Sequence, residues 1–294
     1  MTTLPLRSLF LGLVFAAALA KASEPPASSP YHHKTNVIYG ETHGTGLLMD
    51  VFTPTAPENG LAIIDVVSGA YNSDRSKIQQ HAMAQIYTIL CARGYKVFAI
   101  RPGSKSRYTG LDMLSHIKTG IRYVKQHAAE YKIDPDRIGL TGASAGGNLA
   151  TLAAVTADES TQVKAAAVFF PPTDFLDWNG HPADLVGIGD LLFTGGAKGH
   201  SEEEIKTRAE QLSPARLVKG KPIPFLLIHG DADQLVPLQQ SEKMVQVLKA
   251  AGGSAELIVK KGGGHPWLTI PDEVKLMADW FDAHLSATNS AAKN

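Results

Sequence analysis

The residues best able to do chemistry sit in one short stretch, Gly142-Ala143-Ser144-Ala145-Gly146. An apolar run, Ile138 to Leu140, precedes them, and an Ala/Leu-rich segment with helical character follows. The pattern predicts a strand, a sharp turn and a helix, with the serine at the apex. A residue at such an apex is held in strained backbone geometry. The positions two before and two after it must be almost free of side chain for strand and helix to approach, and both are glycine. The turn lifts the Ser144 hydroxyl clear of the sheet edge. The N–H of Ala145, at the start of the helix, is then placed to stabilise an oxyanion. The chemistry implied is nucleophilic attack by an alcohol on a carbonyl group.

A serine hydroxyl is a poor nucleophile until a base takes its proton, and the base needs an orienting acid. Both have candidates downstream, in the order this turn requires. After the apolar run Phe225 to Ile228 comes His229-Gly230-Asp231-Ala232-Asp233-Gln234-Leu235-Val236-Pro237, a loop at a strand's carboxyl end with two carboxylates. Local spacing does not choose between Asp231 and Asp233, and either residue also suits a turn or a helix cap. Further on, Gly262-Gly263-Gly264-His265-Pro266-Trp267 sets a histidine on a glycine-rich loop able to reach back over the sheet. The second oxyanion donor is expected on Ser68-Gly69-Ala70-Tyr71, from Gly69 or Ala70, with Tyr71 flanking the pocket. An isolated G-x-S-x-G is a loose pattern; it carries weight because a strand precedes it and helix, acid and histidine follow in that order.

The elements that must position these groups alternate along the chain. Val37 to Tyr39 and Leu47 to Phe52 read as an antiparallel hairpin turning near Gly44 and Gly46. Leu61 to Val67 is apolar throughout except for Asp65, as expected of a strand buried on both faces. Lys77 to Arg93 reads as one helix stopped by Gly94, Val97 to Ile100 as a strand, and Asp112 to Ala129 as an amphipathic helix. Ala165 to Phe170, Phe225 to His229 and Glu256 to Lys260 complete the strands, with helices at Leu238 to Ala251 and Pro271 to Leu285. This alternation predicts an α/β fold with a mostly parallel central sheet and helices on both faces. Between Pro171 and Pro222 the alternation lapses, apart from a capped helix start at Ser201-Glu202-Glu203-Glu204. That stretch reads as a small cap-like insertion over the sheet's carboxyl edge, before the acid-bearing strand. One domain is expected over residues 37–287, with a disordered tail at 288–294.

Composition sets the outer limits. A chain of 294 residues with 44% apolar and 19% charged residues suits a globular enzyme. Its 28 basic residues against 28 acidic ones argue against nucleic acid or an anionic membrane surface as the main partner and fit a small neutral substrate. Residues 1–22 have the make-up of a signal peptide: Arg7, an apolar run from Leu9 to Ala20, and the small-x-small site Ala20-Lys21-Ala22. Cleavage after Ala22 would leave a secreted or periplasmic protein without stable membrane insertion. A proline-rich linker, 23–36, follows, in which His32 and His33 read as surface residues. Cys91 is the sole cysteine, so no internal disulfide is possible, and it reads as a small core residue.

The assembled residues resemble an α/β-hydrolase, in particular the carboxylesterases related to hormone-sensitive lipase and the bacterial feruloyl or acetyl esterases. The resemblance runs from about Val37 to Leu285 and is strongest in IDPDRIGLTGASAGGNLA, with HGDADQLVP and GGGHPW similar to the acid and histidine loops. It implies an α/β-hydrolase fold, a triad of Ser144, Asp233 and His265 with Asp233 preferred over Asp231, and a serine carboxylesterase activity needing no metal or organic cofactor. The partner implied is a small-molecule ester of moderate size. One departure stands out, since Ser68-Gly69-Ala70-Tyr71 replaces the family's His-Gly-Gly-Gly or His-Gly-Gly-Ala; backbone N–H groups act there, so the chemistry is expected to survive. Tyr71, Trp178 and Trp267 are candidates for pocket walls. The alternatives are a prolyl-oligopeptidase-type serine peptidase, which shares the layout, and a non-catalytic binding module on the same fold.

Overall fold

The computed structural model describes residues 29–286; the expected leader, 1–22, and the expected tail, 288–294, lie outside the described residues. A hairpin opens the sheet, with β1 (Tyr31–Thr42) and β2 (Thr45–Pro54) joined at His43 and Gly44, both in the left-handed region. β3 (Ala62–Val66), β4 (Lys96–Arg101), β5 (Ile138–Ala143), β6 (Ala165–Phe169), β7 (Phe225–Gly230) and β8 (Ala255–Lys260) complete eight strands in the order β1-β2-β4-β3-β5-β6-β7-β8. β2 runs antiparallel to β1 and β4, and all other pairs are parallel.

The first strand starts six residues before the expected Val37, so the polar linker is shorter than its composition suggests. His33 accounts for this. Its Nε2 is 2.8 Å from Asp50 Oδ2 on β2 and its ring stacks on Phe52 at 4.2 Å, giving this polar stretch cross-strand partners. His32 and His33 are both exposed, as expected.

Side-chain alternation along the strands divides the interior into two cores. Ala62, Ile64 and Val66 of β3 face one, while Ile63, with flanking Leu61 and Val67, faces the other. Three helices, α3 (Gly110–Gln126), α5 (Ala145–Val155) and α8 (Gln239–Ala250), cover the first, with short α4 (Ala128–Tyr131) beside them. The second is covered by α1 (Arg75–Met83), α2 (Ile86–Ala92) and α9 (Ile270–Leu285). Burying such apolar side chains is worth roughly 1.5–3 kcal/mol each. Cys91 is buried in α2, where burial pushes its thiol up to about 12, so it packs and does not react.

One expectation changes. The single helix anticipated over Lys77 to Arg93 is two, α1 and α2, divided at Gln85, which adopts φ 61°. Packing overrides helix propensity there, because the break turns Tyr87 inward, where its ring stacks on Phe52 at 3.8 Å and its hydroxyl reaches Asp65. The segment 171–222 holds α6 (Gly189–Leu192), α7 (Glu202–Gln211) and a 3-10 turn at Pro214–Arg216. The expected cap of α7 is present, with Ser201 and Glu204 in a reciprocal capping box. Phe175, Leu191, Leu192 and Leu212 join the core on the α3 and α5 side, and Asn148 of α5 donates to the carbonyls of Pro172 and Leu212.

Candidate active site

Ser144 sits between β5 and α5 with φ 54° and ψ −120°, a left-handed φ that a residue with a side chain adopts only under constraint. The constraints are visible. Its N–H donates to Phe169 on β6 at 2.9 Å, and the N–H of Gly146, two residues on, donates to Ser68 at 3.0 Å. A Cβ on Gly142 would meet the Gly146 carbonyl oxygen at 2.5 Å, and one on Gly146 would run into the carbonyl oxygen of Val66. Both glycines are required by contact between strand and helix.

His265 arrives on the loop after β8 and Asp233 on the loop after β7. Ser144 Oγ lies 2.8 Å from His265 Nε2, and His265 Nδ1 lies 2.6 Å from Asp233 Oδ2. The other carboxylate oxygen, Oδ1, accepts from the N–H groups of Leu235 and Val236 at 2.8 and 2.9 Å. The acid is thus pinned by the backbone of its own loop. Nδ1–H donates to it, which leaves the Nε2 lone pair for the serine proton. Asp231, the alternative acid, accepts instead from the N–H of Gly262 at 2.6 Å and ties down the start of the histidine loop.

Of the three expected oxyanion donors, the structure leaves two open. Gly69 and Asn72 exchange backbone hydrogen bonds, both at 2.9 Å, so the Gly69 N–H is engaged in its own turn. The N–H groups of Ala70 and Ala145 have no partner among the described residues. Ala70 takes φ 48°, a conformation imposed by the same tight turn.

The wall candidates divide as well. Trp267 lines a cleft of about 650 Å³ that opens onto Ser144 and His265. Tyr71 does not line it; the residue is buried, its hydroxyl donates to Asn148 at 3.1 Å, and burial pushes its phenol well above the ordinary range. Trp178 packs beside Phe175 on the far core. Side-chain direction, which sequence proximity does not reveal, decides both cases. Residues that sequence reasoning passed over make up most of the cleft: Phe170, whose ring lies 4.4 Å from that of His265, then Leu268, Ile270 and Val274 near the start of α9, and Lys77, Gln80 and His81 on α1.

A second histidine, His229, lies beneath the acid. It is fully buried, with Nδ1 2.7 Å from Ser241 Oγ and Nε2 2.9 Å from the Val236 carbonyl, and burial holds it below the usual imidazole range. Among the described residues no cluster of three potential ligands is arranged to hold a metal ion, and no helix is long and apolar enough to cross a membrane.

A family model described as BD-FAE matches residues 49–248. Probable carboxylic ester hydrolase LipM of Mycobacterium tuberculosis is 29% identical over 238 residues, covering 74% of this chain and 52% of its own length. Uncharacterized peptidase YuxL of Bacillus subtilis is 25% identical over 224 residues, covering 70% of this chain and 32% of its own. The chain therefore spans about half or less of these curated relatives. Among solved structures, a truncated carbohydrate esterase from gut microbiota superposes with a TM-score of 0.78 at 27% identity, over 90% of this chain and 100% of that one.

Proposed function

Because this chain belongs to the BD-FAE family, we propose that it is an exported serine carboxylesterase, acting through an acyl-enzyme on esters of moderate size. The observation that carries the reading is the unbroken hydrogen-bond chain from Ser144 Oγ through His265 to the pinned carboxylate of Asp233. As Oγ attacks the ester carbonyl carbon, its proton passes to Nε2 and the carbonyl π electrons move onto oxygen. That oxyanion faces the open N–H groups of Ala145 and Ala70. Collapse breaks the bond to the alcohol, which leaves with the Nε2 proton. A water then repeats the sequence, giving its proton to Nε2 and its oxygen to the acyl carbon, and releases the acid and free Ser144. Asp233 stays ionised and holds the imidazolium.

The cleft supports the substrate class. Phe170, Trp267, Leu268 and Ile270 give it apolar walls, and Met83, Leu235 and Leu268 stand exposed at its mouth, suited to an acyl chain or ring. The leader-like composition of residues 1–22 supports export. Replacing Ser144→Ala is expected to abolish turnover of p-nitrophenyl butyrate and labelling by a fluorophosphonate probe. Wild-type turnover in that variant would end the proposal.

The similarity to a peptidase, YuxL, favours a second reading, cleavage of amides. Turnover of an aminoacyl p-nitroanilide at a rate matching the butyrate ester would establish it.

A further inference from the structure

The α1 wall of the cleft differs from the rest. Lys77, Gln80, His81 and Ala84 fall at i, i+3, i+4 and i+7, one face of the helix, and line the cleft together with Met83, so that beside the apolar Met83 and Ala84 this wall presents three polar side chains where the other walls are mainly apolar. Behind His81 lies Asp65, the lone polar residue of β3, with no exposure to solvent. Its Oδ2 is 2.7 Å from His81 Nδ1 and accepts from the Tyr87 hydroxyl at 3.0 Å; its Oδ1 has no partner. Burying a carboxylate that is only half satisfied is costly, and an apolar residue would pack in its place at lower free energy. What the arrangement achieves is orientation. Nδ1–H of His81 donates to Asp65, and Nε2, without a partner among the described residues, is left at the cleft wall.

Lys77 stands one turn earlier. Its stem lies over Gly69, so that a Cβ there would sit 3.0 Å from Cδ and 3.5 Å from Nζ, which brings the ammonium beside the loop carrying the Ala70 N–H. Lys77 makes no ion pair among the described residues. Asp74, three residues earlier, caps α1 through the N–H of Ser76. No aspartate or glutamate lines the cleft. Donors thus line one wall, and the nearest carboxylates, Asp65 buried behind His81 and the exposed Asp74 that Lys77 attracts at the start of α1, stand outside the cleft lining.

We propose that this face of α1 is a second binding subsite, for a carboxylate carried by the ester substrate, with Lys77 supplying the charge and His81, oriented by Asp65, a hydrogen bond. It rests on the ester-hydrolase reading and names the kind of ester the cleft prefers.

The test uses the full chain and two matched substrate pairs. In one the carboxylate is on the acyl half, p-nitrophenyl hydrogen adipate against its methyl-capped neutral counterpart. In the other it is on the alcohol half, the butyrate ester of p-hydroxybenzoic acid against that of its methyl ester. The readout is the anionic-to-neutral ratio of kcat/KM, which also shows which half carries the group. In at least one pair this ratio is expected to fall about tenfold in Lys77→Met, which keeps the stem over Gly69, and further in Lys77→Glu. Added salt should lower it in the wild type. Asp65→Leu combined with His81→Leu removes the buried charge together with its partner, sparing the fold the orphaned carboxylate, and should lower the ratio as well. A ratio unmoved by Lys77→Met in both pairs, or an equal loss on charged and neutral esters, overturns the proposal; a ratio unmoved in the double variant removes His81 from it. If the wild type hydrolyses neither member of either pair and Ser144 resists fluorophosphonate, the ester-hydrolase reading itself fails, and the subsite with it.

Discussion

Asp233→Asn is the most discriminating single change, because the structure dictates how the new amide must orient. Oδ1 of Asp233 accepts two backbone N–H groups, from Leu235 at 2.8 Å and Val236 at 2.9 Å, and only the amide oxygen can replace it there. The amide NH₂ must then face His265 Nδ1, where Oδ2 now sits at 2.6 Å. Nδ1 becomes an acceptor and the ring proton moves to Nε2, the atom 2.8 Å from Ser144 Oγ. The base arrives already protonated and cannot take the serine proton. Loss of the general base through the wrong tautomer is worth about 10⁴ in kcat, or about 5 kcal/mol of transition-state stabilisation. The fold should tolerate it, since both loop hydrogen bonds survive. The assay is kcat and KM for p-nitrophenyl butyrate beside a thermal melt, with Asp231→Asn in parallel. That control keeps its exposed hydrogen bond to the Gly262 N–H through the amide oxygen and loses only the carboxylate's charge, about 1 kcal/mol of stability at most, and should keep kcat within severalfold. A loss under tenfold in Asp233→Asn, or an equal loss in Asp231→Asn, would refute the assignment of the acid.

The elbow and the buried histidine give two further expectations. Gly146→Ala drives a Cβ into the Val66 carbonyl and within 3.2 Å of the Ser68 carbonyl oxygen, both backbone, so it should cost about 1–3 kcal/mol or more and lower Tm by about 2–4 °C per kcal/mol; a melt at wild-type temperature would contradict the packing. Burial lowers the pKa of His229 in the folded state, so below about pH 6.5 the unfolded chain takes up the proton first. Stability present above that pH is therefore lost as the pH falls through this range, and the decline of Tm should be shallower in His229→Gln; an unchanged pH slope would remove His229 as its source.

The elbow was readable from sequence because its requirements are local. Strand and helix meet so closely that residues 142 and 146 can only be glycine, and this leaves a pattern within five residues. The histidine and the acid were readable as positions, since loops after successive strands gather at one sheet edge. The choice between Asp231 and Asp233 was not: it turns on which carboxylate the Leu235 and Val236 amides capture. The oxyanion loop was half legible for a related reason. Composition marks Gly69 and Ala70 alike, and only the pairing of Gly69 with Asn72 takes one N–H out of play.

The walls of the cleft lie furthest from the sequence, and Asp65 shows why. It stood out as the one polar residue in an apolar strand, an anomaly without a partner. Strand alternation sends Ile64 and Val66 to one core and Asp65 to the other, beneath α1 and α2. What lies there depends on where the helical stretch breaks, and neither glycine nor proline marks the break at Gln85. A continuous helix would set Tyr87, six residues after His81, about 240° further round the axis and could not deliver both to one carboxylate; two segments meeting at a left-handed residue can. The hydrolytic centre is written in short patterns because backbone geometry demands them. The surface that selects among esters follows from a packing decision at Gln85, and only the folded chain displays it.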